Sequence, residues 1–180
     1  MPRYIAFLRA INVGGHNVKM TQLRALFEEL EYANVETFIA SGNVIFETKA
    51  RDAGKLESRI EKHLAAKLGY AVDTFVRSDA EVAAVLRFTP FAEAVSPGGG
   101  VYVLFLKERL TPATAKGLAA CATPVDAFCV NGREVYWQCF GRSSESDVWS
   151  LPAMKALKLP TRTMRNMTSV RKLATKHGIK

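Results

Sequence analysis

The chain has 180 residues, of which 48% are hydrophobic, and its formal net charge at pH 7 is +8. This hydrophobic content excludes an intrinsically disordered chain and is enough for one large domain or two small ones. No apolar run approaches the roughly 20 residues that cross a bilayer, and the first residues lack the pattern of a secretory signal peptide. We therefore expect a cytoplasmic protein with no membrane partner.

The first 78 residues predict one half of the fold. Residues 4–8 are a short apolar run, as in a buried strand, and the Gly14-Gly15 pair ends it. Apolar side chains then recur at helical spacing from Met20, with Thr21 placed to cap the helix start. The predicted elements of this half are strands at residues 4–8, 35–40, 44–46 and 71–76 and helices at residues 20–30 and 54–68.

Residues 79–100 are predicted to connect this half to a second one. Ser78 and Glu81 have the spacing of a capping box, which opens a short helix. The segment Ser96-Pro97-Gly98-Gly99-Gly100 is interpreted as a linker in which glycine supplies flexibility.

Residues 101–180 predict the same order of elements, although the residue identities of the two halves do not visibly repeat. Thr111-Pro112 marks a helix start. Asn131-Gly132 is expected to be the two-residue turn of a hairpin in which Phe128 pairs with Val135. Ser146 or Ser150 is expected to cap a further helix that runs through Leu157, and the last helix is expected from about Thr168.

This order predicts an α+β fold of two tandem ferredoxin-like halves, each arranged βαββαβ and each followed by an extra helix. The halves span residues 1–78 and 101–180. In such a unit the sheet order is 4-1-3-2, so strand 1 ends at the same edge as the turn between strands 2 and 3. The segment Arg9–Gly15 is therefore expected to lie beside Ser41-Gly42-Asn43.

Backbone N–H groups in a glycine-rich turn near a helix start form an anion cradle, and polar side chains in both loops add donors. The alternative is that both turns only connect elements, since neither phosphate-loop pattern is met. The candidate ligand-binding residues at this edge are Arg9, Asn12, Gly14, Gly15, Ser41 and Asn43.

Three segments of the chain resemble a bacterial family known as domain of unknown function 1697. They are Leu8-Arg9-Ala10-Ile11-Asn12-Val13-Gly14-Gly15 followed by Met20, Ser41-Gly42-Asn43-Val44-Ile45-Phe46, and Thr163-Met164-Arg165-Asn166-Met167-Thr168-Ser169-Val170. The resemblance implies an α+β fold of two ferredoxin-like halves and implies no activity.

The third segment adds Arg165 and Asn166 as candidate ligand residues. At Met167 the chain departs from the family, which commonly has Trp there. If that aromatic side chain stacks on a ligand, the stacking is lost in this chain. If it packs in the core, Met replaces it easily.

The basic residues are concentrated at the end of the chain, because residues 151–180 hold eight Lys and Arg and no Asp or Glu. A localised positive charge attracts phosphate or nucleic acid, but it also fits the solvated face of an ordinary last helix. The leading hypothesis is thus a binding protein for a small anionic or nucleotide-like ligand at the loop site, and the alternative is a nucleic-acid partner held by the basic tail.

A third hypothesis is an enzyme of unknown reaction, for which the sequence identifies no catalytic residue. Among the histidines, His16 is the candidate acid or base, although no carboxylate lies near it in the sequence. The cysteines Cys121, Cys129 and Cys139 have no C-x-x-C spacing, so they predict three ordinary thiols with no disulfide framework and no metal site. No pattern identifies a cofactor, a substrate or an oligomeric state.

Overall fold

The structure is a computed structural model, and it describes residues 1–39, 42–91 and 97–180. It is a mixed α+β fold with two four-stranded antiparallel sheets and six α-helices among these residues. The chain divides into two compact units, Met1–Ala83 with Ile179–Lys180, and Ala84–Gly178. None of the helices in the described ranges is both long and apolar enough to cross a membrane.

The first unit holds one sheet, with the strand order β2-β3-β1-β4. Every neighbouring pair is antiparallel, which is the order 4-1-3-2 expected from the sequence. A last helix, α3, starts here and continues into the second unit. The elements are β1 (Arg3–Leu8), α1 (Met20–Glu28), β2 (Ala33–Phe38), β3 (Asn43–Glu47), α2 (Ala53–Leu68), β4 (Thr74–Ser78) and α3 (Asp79–Arg87).

Helices α1 and α2 bury their apolar stripes against one face of this sheet. Side chains alternate along a strand, so Tyr4, Ala6 and Leu8 of β1 all face the helices. Gly69, with φ of +80°, adopts the left-handed conformation that ends α2, and its N–H donates to Ala65 O. The helix that the sequence predicts over 54–68 is therefore confirmed to within one residue.

The second unit holds the other sheet, ordered β6-β7-β5-β8 and again antiparallel throughout. Helix α4 begins as predicted, because Thr111 Oγ1 accepts a hydrogen bond from Thr114 N and Pro112 follows at the first helical position. The elements are β5 (Gly100–Leu106), α4 (Pro112–Ala119), β6 (Asp126–Asn131), β7 (Glu134–Cys139), a 3-10 helix (Val148–Ser150), α5 (Pro152–Ala156), β8 (Arg162–Asn166) and α6 (Met167–Lys176).

The β6–β7 hairpin is present, but its turn is shifted by one residue from the predicted Asn131-Gly132. Its two loop residues are Gly132 and Arg133, so Phe128 pairs with Trp137 rather than with Val135. In this register Val130 pairs with Val135, which sets apolar side chains opposite each other on the core face. Only Gly132 needs a positive φ in this turn, and glycine adopts it without strain.

Several predicted caps are also wrong. Helix α1 begins at Met20, so Thr21 lies inside it, and the residue before it, Lys19, makes no side-chain cap. Neither Ser146 nor Ser150 caps α5, whose start is Leu151 without a side-chain hydrogen bond. By contrast, the capping box is confirmed by mutual hydrogen bonds between Ser78 and Glu81.

Within the predicted linker, Gly99 serves close packing rather than flexibility. A Cβ atom on Gly99 would lie 2.6 Å from Cys139 O and 2.8 Å from Phe140 O, so only glycine fits there. Gly100 is already the first residue of β5. Ser96, the first residue of the predicted linker, lies outside the described residues.

Candidate functional site

The end of β1 and the turn between β2 and β3 meet at one edge of the first sheet. The N–H of Leu8 donates to Gly42 O at 2.8 Å. A Cβ atom on Gly42 would lie 2.7 Å from Ile11 Cγ2, so the turn is packed directly on the chain that follows β1. Asn43 follows this turn directly as the first residue of β3, whereas Ser41 falls outside the described residues.

The segment that leaves β1, residues 9–19, is anchored at two points and exposed between them. Ile11 and Val18 are buried, at 2% and 5% exposure. Asn12 Oδ1 accepts a hydrogen bond from Val18 N at 2.7 Å and so ties these points together. Residues 13–17 are all exposed. We call residues 9–19 the β1–α1 loop.

Gly14 and Gly15 form the tip of the β1–α1 loop. Their φ angles are +63° and +85°, which lie in the left-handed region, and a Cβ atom on either would touch nothing within 4 Å. Neither amide donates a hydrogen bond to any described residue. Both residues are exposed, so these two backbone N–H groups are available to a ligand, five residues before the start of α1 at Met20.

Arg9 is held at the base of the loop by Asp73. Its N–H donates to Asp73 O at 2.8 Å, and its Nη1 lies 3.2 Å from Asp73 Oδ2. Both side chains are about half exposed, so the ion pair is weak and the guanidinium keeps other donors for a ligand.

Asn43 supports the turn rather than facing solvent. Its side chain is 2% exposed, and Nδ2 donates to Phe38 O at 3.0 Å, which closes the β2–β3 hairpin. Asn12 also has a structural role through Val18. The sequence placed both residues at the correct edge, but it did not show that their side chains hold the loops in shape.

Sequence reasoning missed two residues of this edge, Tyr70 and Asp73, which both lie between α2 and β4. The ring of Tyr70 stacks on that of His16 with centroids 3.7 Å apart and planes 16° apart, and its hydroxyl donates to Ile11 O at 2.9 Å. Burial raises the pKa of Tyr70. The strand order could have predicted both residues. Because β4 pairs with β1 in antiparallel orientation, the chain that enters β4 lies at the edge where β1 ends.

Arg165 and Asn166 belong to the second unit, and each has a structural role there. Arg165 is 9% exposed, and its Nη1 donates to Thr163 Oγ1 and Met164 O. Burial lowers the pKa of Arg165 to about 10, which leaves it charged at neutral pH. Asn166 caps α6 by accepting a hydrogen bond from Thr168 N.

Met167 is the first residue of α6, and it is 3% exposed. Of the two interpretations of this position, the structure favours core packing over ligand stacking. Cys121 and Cys139 are buried, Cys129 is half-buried, and all three thiols are free. Within the described ranges no three His, Cys, Asp or Glu side chains come together as a metal ion would need.

Comparison with known proteins identifies the family of this chain. The sequence model of one family, described as "Protein of unknown function (DUF1697)", matches residues 1–136. The chain belongs to this family. The match contains the first two segments of the resemblance, Leu8–Met20 and Ser41–Phe46, and ends before the third.

None of the curated proteins compared with the chain matches it. Among solved structures, the chain is similar to the conserved bacterial protein SP0830 from Streptococcus pneumoniae, with a TM-score of 0.75 and 23% sequence identity. The similarity covers 98% of each chain. At this level of identity it shows that the two proteins share a fold.

Proposed function

We propose that the first unit binds a small anionic ligand at the tip of the β1–α1 loop, through Arg9 and the backbone amides of Gly14 and Gly15. The length of the β1–α1 loop is the main support for this proposal. The connection from β1 to α1 takes eleven residues, whereas the corresponding connection from β5 to α4, residues 107–111, takes five. A longer loop than the fold needs, with exposed polar groups, is typical of a binding site.

The electrostatics of the loop favour an anion. Helix α1 has no acidic residue in its first turn and no side-chain cap, so its first amides carry a partial positive charge toward the loop. Arg9 adds a full charge, and an anion that it pairs with can replace the weak contact to Asp73. The ligand would thus meet backbone donors on one side and a guanidinium on the other.

Backbone strain at this edge supports the same proposal. Ala10 has φ of +59° and Ile39 has φ of +52°, a region that side chains with a Cβ atom seldom adopt. Ile39 is β-branched and 48% exposed. Strained residues persist where function requires them, and both of these residues lie at the edge that carries the loop.

We also infer that the two sheets descend from one ferredoxin-like unit. Aligned by register, the strands Tyr4-Ile5-Ala6-Phe7-Leu8 and Tyr102-Val103-Leu104-Phe105-Leu106 share Tyr, Phe and Leu at equal positions. The neighbouring outer strands carry Arg77 and Arg165 at the matching position, and each arginine donates to the carbonyl of the preceding residue. The strand register is needed to recognise this repeat, because the segments between the strands differ in length in the two units.

The experiment is a titration by isothermal calorimetry with inorganic phosphate, ribose 5-phosphate and nucleoside monophosphates. We expect binding by the wild type and a loss of at least tenfold, about 1.4 kcal/mol, in Arg9→Ala. Arg109→Ala is the matched control, because Arg109 is exposed in the shorter β5–α4 connection. It should bind like the wild type.

If no anion binds, or if Arg9→Ala binds as well as Arg109→Ala, the proposal is wrong. An oligonucleotide that binds with a steep salt dependence would point instead to the basic tail. That binding should weaken when the exposed residues Arg171, Lys172 and Lys176 of α6 are changed to Gln.

A further inference from the structure

The exposed aromatic ring of the β1–α1 loop is His16. One face of its imidazole stacks on Tyr70, with ring centroids 3.7 Å apart and an interplanar angle of 16°. The side chain as a whole is nevertheless exposed. No other described ring contacts it, so its opposite face, which we call the open face, has no stacking partner.

The ring beneath His16 is fixed in place. The Tyr70 hydroxyl donates to Ile11 O, and Ile11 itself is buried in the core of the unit. Gly69, the left-handed residue that ends α2, directly precedes Tyr70 and sets the direction in which the chain leaves the helix. A ring that is already held costs little additional ordering when a ligand stacks on it.

The open face of His16 is close to the proposed anion donors. His16 follows Gly15 directly, and consecutive Cα atoms are about 3.8 Å apart. Val13, 57% exposed in the same loop, adds an apolar surface. A ligand held by the amides of Gly14 and Gly15 therefore reaches the imidazole if it carries a planar ring a few bonds from its anionic group.

We propose that the ligand is a nucleotide, in which a phosphate binds at the glycine tip and the base stacks on the open face of His16. This inference rests on the anion site proposed above and names the ligand class for that site. Stacking on an aromatic ring tolerates every base, because every base has a π-face. The base should increase affinity about tenfold or more over the same sugar phosphate without it.

The test compares the dissociation constants of AMP, UMP and ribose 5-phosphate for the wild type, His16→Ala and His16→Phe. In the wild type, both nucleotides should bind at least tenfold more tightly than ribose 5-phosphate. This ratio should fall to about one in His16→Ala and should persist in His16→Phe, which keeps a flat ring. Thermal unfolding of each variant without ligand checks that the fold is retained.

A wild type that binds ribose 5-phosphate as tightly as AMP and UMP would overturn this inference and leave the anion site standing. A wild type that binds none of the three compounds would overturn both. The same base and phosphate also occur in single-stranded nucleic acid, so a short oligoadenylate is titrated at two salt concentrations. Binding of the oligomer alone, with a steep salt slope, would contradict a free nucleotide as the ligand.

Discussion

The two units have the same strand order but differ in the polar cluster that is most distinctive of each. In the first unit, Arg9 and the amides of Gly14 and Gly15 stand at an exposed loop tip. In the second unit, Asp126 is buried at 2% exposure, and its carboxylate accepts hydrogen bonds from three side chains. The two units therefore share the order and pairing of their strands. They differ in the loops that connect the strands and in the polar residues that are buried.

The Asp126 carboxylate organises one corner of the second unit. Its Oδ1 accepts hydrogen bonds from Trp137 Nε1 at 2.8 Å and Ser146 Oγ at 2.9 Å. Its Oδ2 accepts from Thr123 Oγ1 at 2.8 Å. A buried carboxylate is stable only with such donors, so this group joins β6, β7 and the chain that precedes the 3-10 helix.

One part of the core of the first unit is a cluster of aromatic rings. Tyr32 stacks on Phe46 with centroids 4.5 Å apart, and Phe27 meets Phe46 edge to face. The Tyr32 hydroxyl is buried without a hydrogen-bond partner among the described residues, and desolvation raises the pKa of Tyr32.

The largest effect should follow from Asp126→Ala. Removing the carboxylate leaves the donors of Trp137, Ser146 and Thr123 without their acceptor, and the loss of several buried hydrogen bonds costs about 3–5 kcal/mol. Urea denaturation followed by circular dichroism measures it. Asp126→Asn keeps the shape and some acceptors, so it should cost less. A loss below about 1 kcal/mol in Asp126→Ala would contradict this account of the network.

A smaller effect should separate two turn glycines, one in each unit. Gly42→Ala places a Cβ atom 2.7 Å from Ile11 Cγ2 at a φ of +75°, so strain and overpacking together should cost about 2–4 kcal/mol. Gly132→Ala, at a φ of +63°, meets only the flexible end of Glu134 at 3.5 Å and should cost about 1 kcal/mol. The difference between the urea midpoints of the two variants tests whether the β1–α1 loop packs on the β2–β3 turn. If both variants lose the same stability, the loop does not pack there.

The smallest effect should be a pH dependence of the first unit. Lys67 Nζ lies 2.7 Å from Glu29 Oε2, and this hydrogen bond, with His63 nearby, lowers the pKa of Glu29. A carboxyl whose folded pKa is lowered contributes stability that is present above its ordinary value and is lost as the pH falls through the folded one.

Melting temperatures of the wild type and Lys67→Met from pH 3 to pH 7 measure this contribution, with the pH range chosen to bracket the ordinary glutamate value of about 4.3. The two proteins should differ most near neutral pH and converge in acid. A difference that is constant across the range would mean that the contact contributes no linked protonation.

Local patterns predicted much of the fold because they act over a few residues. The apolar stripe of α2 with its terminal Gly69, and the paired caps Ser78 and Glu81, are encoded within one or two helical turns. The hairpin turn was misplaced by one residue, since Asn131-Gly132 and Gly132-Arg133 both offer a glycine, and the choice depends on which apolar side chains meet across the strands.

The site was harder to predict because its contacts span long separations. Arg9 reaches Asp73 and His16 reaches Tyr70, and nothing in either neighbourhood encodes the pairing. Topology alone brought the two loops to one edge. Whether a polar side chain there faces solvent or braces its own turn, as Asn43 does, depends on side-chain geometry that residue type does not specify.

Both tryptophans of the chain, Trp137 and Trp149, lie in the second unit, where their rings meet edge to face with centroids 5.3 Å apart. Indole fluorescence is therefore an intrinsic optical label of that unit alone. The first unit is spectroscopically silent at wavelengths that excite only indole. Emission compared with a signal from the whole backbone distinguishes cooperative melting of the chain from stepwise melting, with no added dye.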